Sequence, residues 1–163
     1  MAHIFISIGS NINRRFHIQA AVSELKQHFG AVELSSVYES EAVGFDGNAF
    51  YNLVAAAQTD LSIAQCVSVF KQIEDSYGRD RSSARFSGRT LDLDLLTYDD
   101  VVCQQPVELP RAEITENAFV LWPLAELAPD VILPGSGQSY ASLWQQYDKP
   151  QKLWPVPFEW SSK

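Results

Sequence analysis

A strand–helix–strand–strand–helix–strand order in the first hundred residues predicts an α+β domain of the ferredoxin-like kind, a mostly antiparallel sheet with helices packed on one face of it. Three observations carry that prediction. Isoleucines alternate at the start of the chain (Ile4, Ile6, Ile8), apolar residues recur at helical spacing over 18–29 and 63–77, and leucine alternates with aspartate over 91–95. With 163 residues the chain reads as a single domain over 1–163, long enough for one sizeable core.

Residues 3–8 predict the first strand, and Gly9-Ser10-Asn11 turns the chain out of it. The turn lacks the Gly-Lys-Ser/Thr ending of a phosphate loop, so a plain strand-to-helix turn is the simpler reading. Ile18, Val22, Leu25 and Phe29 then mark a helix that Gly30 stops. His17 and His28 have no partner at ligand spacing and read as surface or packing residues. A second strand is expected over 32–38 and a third over 50–59. The segment between them holds Gly44 and Asp46-Gly47-Asn48, too long for a tight hairpin, and such loops are often functional. Ser62 with Gln65 makes a capping box for a second helix, with Ile63, Val67, Phe70 and Tyr77 as its buried stripe and Gly78 as its stop.

Asp99-Asp100 is a turn, and 118–127 is apolar, helical or turn-rich and broken at Pro123. Ser139 caps a short helix through Tyr147. The tail, Trp154-Pro155-Val156-Pro157-Phe158, has two open uses, docking onto the body or self-association.

Composition narrows the partners. A net charge of −8 argues against a general nucleic-acid binder or a peripheral membrane protein, since both need a broad basic surface. Cys66 and Cys103 have no metal-ligand spacing and read as buried thiols. No secretory leader and no apolar run of spanning length is present, so a cytoplasmic monomer with small-molecule partners is expected.

The chemistry concentrates in 79–96. On a strand, Leu91, Leu93 and Leu95 share one face and Asp92 and Asp94 the other, with the aspartates roughly 7 Å apart at Cα given about 3.3 Å of rise per residue. Two carboxylates at that spacing suit Mg²⁺, which takes one or two of them and completes its shell with water and phosphate oxygens. Just upstream, Arg79, Arg81, Arg85 and Arg89 place four of the twelve basic side chains in eleven positions, on a segment with Ser-Ser and Ser-Gly loop signals. Helix-end electrostatics explains Arg79 and Arg81 without any function, but not Arg85 and Arg89. Guanidinium forks match phosphate oxygens. Asp-x-Asp alone occurs on many half-exposed strands; joined to the arginines it points to phosphoryl transfer.

Arg85-Phe86-Ser87-Gly88-Arg89-Thr90-Leu91-Asp92-Leu93-Asp94-Leu95-Leu96 resembles the signature of the 6-hydroxymethyl-7,8-dihydropterin pyrophosphokinase family of folate biosynthesis. Gly9-Ser10-Asn11, Ser36-x-Tyr38 with Gly44, Asn52 and Phe119-Val120-Leu121-Trp122-Pro123-Leu124 fall in the family's order and spacing, so the likeness spans roughly residues 3–145. The resemblance implies transfer of pyrophosphate from ATP to the hydroxymethyl oxygen of the pterin, with two Mg²⁺ ions held by Asp92 and Asp94. It implies charge neutralisation by Arg79 and Arg89, and nucleotide binding by Arg81, Arg85, Phe86 and Arg111. Ser40, Val43, Phe50, Asn52 and Phe119 are the implied pterin-binding residues. The chain departs from the family pattern at Ser87-Gly88, where Gly-Pro is usual. On the donor side Arg111 replaces a histidine, Asn117 replaces an arginine, and Glu108 stands where a neutral residue is common. A pterin-binding paralogue with an altered donor site and no catalysis, and an interaction domain that binds an anionic partner, remain alternatives to the enzyme.

Overall fold

The computed structural model describes residues 1–40, 49–77, 91–148 and 153–158. Val43, Gly44, Gly78 and the whole arginine segment (Arg79, Arg81, Arg85, Phe86, Arg89) lie outside the described residues. Strand β1 (Ala2–Ser10) is followed by α1 (Arg14–Phe29), β2 (Val32–Leu34), β3 (Val37–Ser40), β4 (Phe50–Thr59), α2 (Ile63–Ser76) and β5 (Asp92–Tyr98). Helices α3 (Glu113–Glu116), α4 (Ala118–Leu127) and α5 (Tyr140–Gln146) come next, and β6 (Leu153–Val156) closes the series. The sheet order is β5-β1-β4-β3-β6, with β2 also on β4, and every pairing is antiparallel. This is the ferredoxin-like α+β arrangement predicted from the element order.

The sheet carries two cores, one per face. On the first, Ile4, Ile6 and Ile8 of β1 and Leu91, Leu93 and Leu95 pack against Ile18 and Leu25 of α1 and Phe70 of α2. On the second, Phe5, Val54, Ala56 and Leu96 pack against Val120, Leu121 and Leu124 of α4 and Tyr140 of α5. The first layer of helices is the expected one. The second layer was not predicted, because α3, α4 and α5 are short and α4 is apolar nearly all round, which hides its period.

Several local differences have physical causes. Residues 32–38 form two strands, not one. Between Leu34, opposite Ala55, and Tyr38, opposite Asn52, three residues face two, the signature of a β-bulge. Ser35 makes it possible: its N–H donates to Val54 O (2.9 Å) and its hydroxyl accepts from Val54 N–H (3.0 Å). The buried stripe of α2 runs through Cys66, Phe70, Ile73 and Glu74, with Ile63, Val67 and Tyr77 on its borders. Helix α4 continues through Pro123, which removes one helical hydrogen bond but leaves the buried face intact. The capping box is present in both directions, Gln65 N–H to Ser62 Oγ (3.2 Å) and Ser62 N–H to Gln65 Oε1 (2.8 Å). Burial pushes the Cys66 thiol up to about 11, so it is inert. The tail docks: β6 pairs with β3 from Val37 opposite Val156 to Ser40 opposite Leu153. No helix among the described residues is long and apolar enough to cross a membrane.

Tyr140 is fully buried in the second core with its ring edge-on to Phe5, and its hydroxyl has no hydrogen-bond partner among the described residues. A buried hydroxyl without a partner costs about 1–3 kcal/mol. Tyr140→Phe is therefore expected to stabilise the fold by about 1 kcal/mol in urea unfolding, while a loss of stability would reveal a partner for that hydroxyl.

Candidate active site

The alternation of β5 places Asp92 and Asp94 on the second face, opposite Gly9 and Ser7 of β1. Across β1, Gly9 is also opposite Asn52 of β4. Asn52 and Asp92 thus flank the same β1 residue on one face, two strand spacings or roughly 10 Å apart at Cα. Gly9 and Ser10 belong to the strand, not to the turn read from sequence, and the glycine has a specific reason to be there. A Cβ at position 9 would lie 2.9 Å from Asn52 Oδ1, closer than real Cβ contacts. The buried Asn52 amide donates to Ser40 Oγ (2.9 Å), which fixes its orientation and joins two residues predicted to bind pterin. Phe50 is paired with Ser40 at the start of β4 and is half-buried. Phe119 lies in the first turn of α4, which packs over β3 and β4, and is half-buried against the second core.

The strand carrying the aspartates is fastened by a residue the sequence reading passed over. Among the described residues β5 lies at the edge of the sheet, where alternate N–H groups have no strand partner. The buried Glu74 carboxylate of α2 takes one of them, accepting from Leu93 N–H at 2.7 Å, between the two aspartates. A glutamate on the buried stripe of an amphipathic helix was the available signal.

Arg111 completes the charge pattern. Its backbone N–H donates to Leu96 O (3.0 Å), which pins it beside β5. Its Nε donates to Glu113 Oε1 (3.0 Å) and its Nη2 lies 3.8 Å from Asp94 Oδ1. Burial works against the guanidinium charge, but Asp94, Glu113 and Glu108 more than offset it and hold Arg111 above its usual value. Burial likewise raises the Asp94 carboxyl, Arg111 pulls it down, Glu113, Asp92 and Glu74 push it up, and together they bring it to about 6. Among the described residues the net effect on Asp94 is upward, and a divalent cation beside that carboxyl would favour its charged form. No group of three or more His, Cys, Asp or Glu able to hold a metal occurs among the described residues, so Asp92 and Asp94 would bind an ion only with oxygens from elsewhere, as Mg²⁺ allows. Asn117 precedes α4 without a side-chain capping bond.

The family model described as 7,8-dihydro-6-hydroxymethylpterin-pyrophosphokinase (HPPK) matches residues 5–129. The chain belongs to the HPPK family. It is 33% identical over 138 residues to the 2-amino-4-hydroxy-6-hydroxymethyldihydropteridine pyrophosphokinase of Aquifex aeolicus, a match covering 82% of this chain and 85% of the relative. The enzyme of that name from Pseudomonas aeruginosa is 36% identical over 136 residues, covering 80% of this chain and 83% of its own length. The folate synthesis bifunctional protein of Chlamydia caviae is 36% identical over 146 residues, but this chain spans 33% of its length. Plasmodium falciparum HPPK-DHPS shares the fold with a TM-score of 0.73 at 12% identity; the match covers 90% of this chain and 44% of that one.

Two outcomes follow from this geometry. Gly9→Ala drives Asn52 off Ser40, and the affinity for pterin, measured by fluorescence titration, is expected to fall about tenfold, the effect of one misplaced polar contact. Unchanged affinity would separate Asn52 from the pterin. The second concerns pH. Asp94 has its carboxyl raised from 3.8 to about 6, so the folded chain holds this proton more tightly than the unfolded one. The contribution of Asp94 to the stability of the metal-free protein therefore falls as pH rises from about 4 to about 6. The advantage of Asp94→Asn over wild type in urea unfolding should grow across that window and level off above it; a flat difference would show that the carboxylate is not destabilised by burial.

Proposed function

We propose that this chain transfers a pyrophosphoryl group from ATP to the hydroxymethyl oxygen of 6-hydroxymethyl-7,8-dihydropterin, releasing AMP, as a step in folate biosynthesis. Family membership supports the reaction, and the placement of Asn52 and Asp92 across Gly9 is the single observation that carries its geometry. A carboxamide offers both a donor and an acceptor to the aminopyrimidinone edge of a pterin. From there the two-ring heterocycle and its one-carbon arm extend along the face toward Asp92 and Asp94. Ser40 orients Asn52, while Val43, Phe50 and Phe119 wall the ring.

Asp92 and Asp94 are the residues that would hold Mg²⁺, in our reading two ions, which would supply positive charge to the donor phosphates and lower the pKa of the attacking hydroxyl. Glu74 keeps the two carboxylates in register by holding the Leu93 N–H between them. Arg79 and Arg89 neutralise charge developing on the transferred group and the departing AMP, and Arg81, Arg85 and Arg111 bind the donor phosphates. Phe86 excludes water from the site. The partners are the two small substrates, and the place of action is the cytoplasm.

Incubation with the dihydropterin, Mg²⁺ and a panel of nucleoside triphosphates tests the assignment. AMP and a diphosphorylated pterin are the expected products, and their absence with every nucleotide would refute it. Asp92→Asn and Asp94→Asn should each lower turnover by about 10²–10³-fold or more while pterin binding stays within about twofold, because the carboxylates serve transition-state charge and Asn52 serves the ring. Near-normal rates at saturating Mg²⁺ would remove the metal assignment.

A further inference from the structure

Arg111 is a fixed cation facing a carboxylate that the proposed function assigns to metal. It stands 3.8 Å from Asp94 and donates to Glu113 at 3.0 Å, and its backbone is tied to β5 through Leu96 O. With Nε on Glu113, the guanidinium reaches toward Asp94 with Nη2, so the fork spans both carboxylates. A divalent ion held by Asp94 would lie close to that positive charge and be repelled by it. A donor's phosphates reverse the balance, because they give the fork a richer anion to clasp and bring ligands for the ion.

We propose that Arg111 is a tethered counter-cation for Asp94 that makes the site take up divalent metal together with nucleotide rather than alone, with Glu113 as the partner that holds the guanidinium ready to move. The arrangement is a coupling device. Metal alone must compete with Arg111 for Asp94, while a nucleotide's phosphates draw the guanidinium from Asp94 and leave that carboxylate to the metal. By linkage, the factor by which nucleotide tightens metal binding equals the factor by which metal tightens nucleotide binding, and Arg111 sets its size. Arg111 acts here as a positioning residue, through Asp94 and the phosphates. The inference rests on the reading of Asp92 and Asp94 as metal ligands, and its test separates the two.

The test is Mn²⁺ binding to the full chain, read from the electron paramagnetic resonance signal of free Mn²⁺, with and without a non-hydrolysable ATP analogue. Wild type should bind Mn²⁺ weakly alone and much more tightly with the analogue. Arg111→Met should tighten binding of Mn²⁺ alone by about tenfold, the scale of one like charge removed at close range, and loosen it with the analogue, so the coupling shrinks. Arg111→Lys, keeping the charge, should retain most of the weakness toward Mn²⁺ alone. Glu113→Gln, leaving Arg111 to Asp94, should weaken Mn²⁺ binding further in the absence of nucleotide. Melting temperature and pterin affinity report whether each variant is folded. If Asp94→Asn abolishes Mn²⁺ binding while Arg111→Met leaves both affinities unchanged, the counter-cation is refuted and the metal site stands. If Asp94→Asn leaves Mn²⁺ binding intact, the metal reading itself fails.

Discussion

The site depends on the close approach of three strands at Gly9. Strand β1 is paired on both sides, with β4 along its whole length and with β5 from Ile4 to Gly9, and Gly9 is the residue where the two pairings bring Asn52 and Asp92 into one row. Absence of a Cβ there is what lets the Asn52 carboxamide lie against the strand and reach Ser40. Everything else in the arrangement is register. The pleat turns Ile8 and Leu93 into the first core and Asn52 and the aspartates to the other face, and a one-residue slip would exchange the two sets. Two cores, one on each face, make such a slip costly, so the packing of isoleucines and leucines indirectly fixes where the carboxylates stand.

The electrostatics of that face are set against the economy of ordinary folding. Asp92, Glu74 and Glu113 lie close enough to Asp94 to raise its carboxyl, in a chain already at −8, and among the described residues Arg111 is a charge that opposes them there. A fold optimised for stability alone would spread these groups or pair them fully. Glu74 shows how the cost is held down: it is buried, yet its carboxylate accepts a backbone N–H that an edge strand would otherwise leave open. Asp94 is left with a raised carboxyl in spite of Arg111, a perturbation of the kind that collects at functional sites.

Much of this was legible in the sequence because it depends on local period. The Leu/Asp alternation at 91–95 gave the face of each residue, Ser62 and Gln65 gave the helix start, and Asn52 and Ser40 could be placed by their family positions. What escaped depends on contacts distant along the chain. Gly9 reads as turn chemistry until Asn52 is seen beside it, forty-three positions away by the numbering of the strand pair. The bulge at Ser35 exists because a hydroxyl can stand in for a carbonyl toward Val54, and no pattern within residues 32–38 announces that. Glu74 stands out as a carboxylate on the buried stripe of α2, but its partner, the Leu93 N–H, is nineteen positions away. The second helical layer was hidden because α4 is apolar on too many sides to show a stripe.

The far face explains how β3 and β4 are kept in place. Arg14 of α1 pairs with Glu39 of β3 (2.7 Å), donates to Ala49 O just ahead of Phe50 (2.9 Å), and stacks its guanidinium on Tyr51 of β4 at 3.9 Å. The docked tail adds to the same cluster: Trp154 Nε1 donates to Glu39 Oε1 (3.1 Å), and Phe158 meets Tyr51 edge-on. Glu39 and Tyr51 alternate along their strands with Ser40, Phe50 and Asn52, so gripping the former from one face aims the latter from the other. On the site's own face, Glu126 of α4 accepts from Tyr38 OH (2.7 Å) and Ser36 Oγ (2.6 Å), which ties the helix bearing Phe119 to the same strand. Strand β3 is short and follows a bulge, and pairing alone would hold it poorly; clasped from both faces and edged by β6, it becomes a rigid rail that sets the positions of Ser40, Phe50 and Asn52.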